Sequence, residues 1–119
     1  MTQQLTLVTR ATTAGVVMEL TGELDHHTAP DVRDALTGVR LAPGRQLTLD
    51  LAGVTFCDSS GLTVLIASRN HALTAGATLV LAAVPERVSR IIRVVGLEPV
   101  FPTHPTAGAA EDSWRPTTG

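Results

Sequence analysis

A chain of 119 residues that is 44% hydrophobic and 17% charged suits one domain around one core and is too apolar to stay disordered. Phe56, Phe101 and Trp114 are its only aromatic residues, so the core must be aliphatic, and a groove that stacks bases on rings is hard to build. A formal net charge of −2 argues against nucleic acid or an anionic membrane as the main partner.

Met1-Thr2-Gln3-Gln4 lacks the basic and apolar regions of a signal peptide, and no apolar run reaches the length of a membrane span. The cytoplasm is therefore the expected compartment. Leu5 to Thr9 alternates like a short strand, Thr12 to Gly15 reads as a turn, and Val16 to Thr21 reads as a second strand. Val16, Met18 and Leu20 share one of its faces, and the close spacing predicts an antiparallel hairpin. Gly22 to His27 reads as a polar connection. The helix that follows has Thr28 as its cap, Pro30 in the first turn and Asp31 at its positive end. Val32, Ala35, Leu36 and Val39 form its buried stripe, and Pro43 and Gly44 end the unit.

Leu47, Leu49 and Leu51 alternate with Thr48 and Asp50 as a third strand. Beyond it lies Cys57, the only cysteine, which excludes an internal disulfide and a thiolate metal cage. Asp58-Ser59-Ser60-Gly61 opens a second helix, with Leu62, Leu65, Ile66, Arg69 and Leu73 expected along its inner side. Gly76 stops that helix, and Ala77 to Ala83 makes a fourth strand. Pro85 opens a third helix in which Val88, Ile91, Ile92 and Val95 face inward and Gly96 caps the end. Val100-Phe101 is expected as a last short strand. These elements make one domain over residues 1–101, followed by a flexible C-terminal tail over 102–119, with one helical turn near Ala109 to Trp114.

Strands beginning near Val16, Leu47 and Leu79 lie about 31 residues apart, the length of a βα unit. Right-handed crossovers that advance in one direction put their helices on one face of the sheet. The spacing thus predicts an α/β fold: a mixed, mostly parallel open sheet with an N-terminal antiparallel hairpin and helices mainly on one face. A doubly wound three-layer sheet is the alternative.

Ligand and partner sites of open α/β sheets collect at the carboxyl edge of the strands. Two loops should meet there, one with Asp25, His26, His27 and Thr28, the other with Asp58, Ser59, Ser60 and Gly61. Ser59 or Ser60 is expected at the helix N-cap, where a phosphate on Ser59 could be held, adding a charge of about −1.5 to −2. From spacing alone the serines read first as simple caps, and Asp25 and Thr28 read as well as caps of the first helix as they do as site residues. Adjacent histidines rarely converge on one ion, which weighs against zinc. A hydrolase triad of Ser59, a histidine and Asp25 lacks a separate orienting group. No nucleotide loop or nucleophile elbow is present. Arg87, Arg90 and Arg93 read as a solvated face, with an acidic partner as the other reading.

Two segments are similar to the bacterial anti-sigma factor antagonists, the STAS-domain family. Gly22 to Ala29 resembles the family's loop before its first helix, and Phe56 to Leu62 resembles its phosphorylation segment; Pro85 to Phe101 resembles its third helix and final strand. The resemblance spans about Leu5 to Phe101. It implies a non-enzymatic module whose unphosphorylated form binds an anti-sigma factor that is also a serine kinase, releasing a sigma factor. It further implies phosphorylation on Ser59, loss of binding in that state, and dephosphorylation by a metal-dependent serine phosphatase. ATP and magnesium then belong to the kinase, and this chain needs no cofactor. Asp25, Thr28, Asp58, Ser60 and Gly61 are implied partner contacts around the acceptor. The alternative is a STAS-type ligand-binding or scaffold domain of a signalling or transport assembly. Thr63 stands where relatives often carry a small glycine, and the family's last helix is expected to be short or absent.

Overall fold

Two antiparallel strands, β1 (Leu5–Ala11) and β2 (Gly15–Leu24), open the fold as described for residues 5–116 by a computed structural model. Next come α1 (Ala29–Thr37), β3 (Gln46–Cys57), α2 (Ser59–Thr74), β4 (Thr78–Ala82) and α3 (Glu86–Val94). A 3₁₀ turn (Glu98–Val100), β5 (Thr103–His104) and α4 (Ala107–Ser113) complete the described chain. The sheet has five strands in the order β1-β2-β3-β4-β5; only β1–β2 is antiparallel, and each later pair is parallel. The expected fold class is therefore the observed one.

Strand alternation builds the core. Met18 and Leu20 of β2, Leu47, Leu49 and Leu51 of β3, and Leu79 and Leu81 of β4 are buried on one face of the sheet. Against them pack Val32 and Leu36 of α1, Leu62 and Leu65 of α2, and Val88 and Ile92 of α3. Those three helices share one side, as right-handed crossovers that progress in one direction require.

The two central strands run well past their expected ends. β3 carries extra residues where the register slips between Glu19 and Thr21 and again between Gly22 and Glu23. Each slip shifts the parity of the side chains, so beyond Leu51 the buried positions are Val54 and Cys57, three apart. Pairing nonetheless continues to Leu24 and Cys57. Gly22 to Leu24, expected within the polar connection, and Ala52 to Cys57 are strand, and they carry the sheet to the edge where the site lies.

Helix α2 is rotated from the expected face. Gly61, Leu62, Val64, Leu65, Ser68 and Ala72 are buried, whereas Ile66 and Leu73 are exposed. Ser68 can occupy the interior because its hydroxyl donates to the Val64 carbonyl at 2.8 Å. Val95 is also exposed rather than inward. Gly96 does cap α3, at φ +79°, with its N–H on Arg93 O and that of Leu97 on Ile92 O.

The C-terminal expectations need correction. Val100-Phe101 is not a strand: Val100 lies in the 3₁₀ turn, and pairing with β4 falls on Thr103 and His104. Nor is the stretch from Pro102 to Pro116 a loose tail. The second face of the sheet exposes Val17 and Ala82, and α4 covers them with the small residue Ala107. Gln46 Nε2 donates to Ala110 O at 2.9 Å, and Trp114 Nε1 donates to Gly44 O at 3.0 Å. The helical turn expected near Ala109 to Trp114 is α4, which begins earlier, at Ala107, and packs through small side chains rather than large apolar ones. The remainder of the expected tail, 117–119, lies outside the described residues.

Candidate functional site

Parallel pairing of β2 with β3 delivers two loops to one edge of the sheet. Leu24 and Cys57 are the last register pair, and the Asp58 amide donates to Leu24 O at 3.4 Å. The loop after β2 is closed by Asp25, whose Oδ1 accepts from the amides of His27 at 2.9 Å and Thr28 at 3.1 Å. Thr28 occupies the N-cap position of α1, yet its side chain makes no capping bond. Its hydroxyl turns back instead, donating to Glu23 O at 2.7 Å and accepting from the Asp25 amide at 3.0 Å. Thr28 is fully buried.

Asp58, and neither serine, is the N-cap of α2. Its extended backbone lets Oδ1 accept from the Gly61 amide at 3.1 Å. Ser59 and Ser60 therefore take the first two helical positions. Ser59 is exposed, and among the described residues its hydroxyl has no hydrogen-bond partner. The Ser59 carbonyl accepts from Thr63 Oγ1 at 3.0 Å. The amides of Ser59 and Ser60 have no hydrogen-bond partner among the described residues and lie at the positive end of the helix.

Gly61 is buried because the helix must approach the sheet closely here. A Cβ at this position would stand 2.6 Å from both Cys57 Sγ and Leu24 O. Cys57 lies beneath the loop, where burial, followed by the neighbouring Asp58 carboxylate, pushes its thiol up to about 11. It is a packing residue and an unreactive thiol at neutral pH.

The expected site residues thus separate by depth. Ser59 is exposed, Asp25, Asp58 and Ser60 are half-buried, and Thr28 and Gly61 are buried. The last two cannot touch a partner in this conformation; they hold the surface from below. Asp25 is committed to backbone amides, and no hydrogen bond links Ser59 to a histidine, so the residues of the conceivable triad are not assembled. The rings of His26 and His27 meet edge to face, 5.6 Å apart. Among the described residues, no three His, Cys, Asp or Glu side chains gather as a metal site, and no helix is long and apolar enough to cross a membrane.

Beside Ser59, a depression of about 190 Å³ opens between α1 and α2, lined by His26, Ala29, Pro30, Arg33, Ser60 and Thr63. Arg33 has no signal in the sequence beyond its place one turn after Ala29; only the packing of α1 on α2 brings it to the serine loop. The arginine stripe on α3 is partly engaged. Arg87 Nη1 donates to Thr55 O at 3.3 Å, and Arg93 bridges to Glu86 at 3.5 Å.

A family model described as "Mlab, STAS domain" matches residues 7–102. An anti-sigma-B factor antagonist of Listeria monocytogenes is 32% identical over 80 residues, which is 67% of this chain and 70% of that protein. A STAS-domain containing protein of Pseudomonas aeruginosa is 31% identical over 86 residues, covering 72% and 84% of the two chains. The crystal structure of an anti-sigma factor antagonist from Mycobacterium paratuberculosis superposes with a TM-score of 0.81 at 29% identity, over 94% of this chain and 95% of that one.

Proposed function

Because this chain belongs to the STAS-domain family, we propose that it is an anti-sigma factor antagonist switched off by phosphorylation of Ser59. Such antagonists are binding modules and not enzymes. The unphosphorylated carboxyl edge docks on an anti-sigma factor that is also a serine kinase, and docking frees the sigma factor. Within that complex the Ser59 oxygen takes the γ-phosphoryl group of ATP and ADP leaves; nucleotide and magnesium are held by the kinase. A serine phosphatase returns the chain to its binding form.

The observation that carries this reading is the Ser59 hydroxyl itself, exposed, unengaged and at the first position of α2. An acceptor must be reached by an enzyme, and a cap locked in its own hydrogen bond would not be. With Asp58 as the cap, Ser59 is released for chemistry. Asp25, Asp58 and Ser60 contribute the half-buried surface around it, while Thr28 and Gly61 fix that surface in place. A dianion at Ser59 beside Asp58 then repels an acidic or phosphate-bearing docking face.

The test is to incubate the full chain with its candidate anti-sigma kinases and magnesium ATP, and to map phosphate by mass spectrometry. Modification confined to Ser59, with loss of binding in a pull-down, is the expected result. If every such kinase leaves Ser59 unmodified, the proposal fails.

A further inference from the structure

The depression beside Ser59 contains a cation that the docking scheme does not use. Arg33 lines it together with His26, and neither side chain forms an ion pair or a hydrogen bond with another described residue. The nearby acids have other work: one oxygen of Asp25 holds two amides, and one oxygen of Asp58 holds the Gly61 amide. Thr63, on the α2 wall of the depression, is tied to the Ser59 carbonyl at 3.0 Å. Ser59 does not itself line the depression, but its neighbour Ser60 does, and Ser59 precedes Thr63 by one turn on the same helix face, where Cβ atoms four positions apart lie about 5–6 Å from each other.

We infer that this depression is an intramolecular phosphate site: the phosphate on Ser59 turns toward it and is held in cis by the Arg33 guanidinium, with His26 as a lesser contact. The inference rests on reading Ser59 as the acceptor. A guanidinium matches phosphate oxygens two at a time, and such charge-assisted bonds are stronger than neutral ones. Modification then does two things to the docking face. It adds negative charge, and it removes a cation that was available to the partner. Of the two hydroxyls in the depression, that of Ser60 has no hydrogen-bond partner among the described residues and can donate to the phosphate, whereas the Thr63 proton is already given to the Ser59 carbonyl.

The experiment uses the full chain with phosphoserine installed at position 59 during synthesis, so that no kinase is needed. Phosphorus NMR follows the second ionisation of the phosphate against pH. A nearby guanidinium favours the dianion, so the midpoint should lie about half a pH unit or more lower in the unsubstituted chain than in Arg33→Gln. Arg33→Lys should recover part of that difference, and Arg90→Gln, on the exposed part of α3, should leave the midpoint in place. Equal midpoints with and without Arg33, or an equal change from Arg90→Gln, would overturn the inference. That outcome would leave Ser59 standing as the acceptor. Conversely, failure of all kinases to modify Ser59 would remove the acceptor reading without touching the titration.

Discussion

The amide of Asp58 donates to the carbonyl of Leu24 at 3.4 Å, so the residue that caps α2 is also tied to the final residue of β2. One contact thereby sets both loops of the candidate site. Gly61 leaves no slack above it, since a methyl group there would press on the same Leu24 carbonyl and on Cys57 Sγ.

Gly61→Ala should therefore destabilise the fold by about 1–3 kcal/mol, through displacement of α2 from the sheet. Gly108→Ala in α4 is the contrasting case. A Cβ there meets only Thr106 Oγ1 at 3.8 Å, and the loss of backbone freedom should stabilise by about 0.5–1 kcal/mol. Urea unfolding of both variants checks the opposite signs.

Thr28→Val keeps the shape of the side chain but removes its hydroxyl. The Glu23 carbonyl and the Asp25 amide lose their partner inside the protein, which should cost about 1–3 kcal/mol. Amide exchange should rise first at Asp25 to Thr28, because the closed loop depends on this hydroxyl. An unchanged exchange pattern would show that Asp25 holds the loop alone.

Ser59→Ala should still bind the kinase, since the hydroxyl makes no intramolecular bond to lose. Ser59→Asp places a permanent charge next to Asp58 and should bind at least about tenfold more weakly, a difference of about 1.4 kcal/mol. Calorimetric titration of the two variants against one kinase is the measurement, and equal affinities would count against an electrostatic switch.

Cys57 predicts an alkaline dependence of stability. Its thiol is pushed up to about 11 in the folded chain, from the ordinary thiol value of 9.0 that applies once the chain is unfolded. Between those values the folded state binds more protons, so stability falls as pH rises; below the lower value the contribution is complete. Cys57→Ala should lack this part of the decline in denaturant melts from pH 8 to 11. In the native protein at neutral pH, a thiol reagent should modify Cys57 only as fast as the chain opens.

Much of this could be read in the residues, and the exceptions share a physical cause. Leu47, Leu49 and Leu51 announce β3 by alternation, but the register slips break the pattern before Val54 and Cys57, so half of the strand looks like loop. Ile66 and Leu73 suggested the inner face of α2; the true face contains Ser68 and Ala72, whose fit depends on neighbours rather than on apolarity. Asp and Ser rank alike as caps, so Asp58-Ser59-Ser60 leaves the choice open until the bond to Gly61 is seen. The motif around Ser59 was plain in the sequence, whereas Arg33 emerged only when two helices were set side by side.

Trp114 is pinned to Gly44, just before β3 begins, while Ser59 follows the residue after β3 ends. That strand runs alongside the 10 residues of β2, its own extra residues being taken up by the two slips, so the two points are separated by about 30 Å at the usual rise per residue. Cargo joined behind the tryptophan, whether a tag, a fluorophore or another domain, departs from the far pole of the molecule. It leaves the pole that carries Ser59 clear.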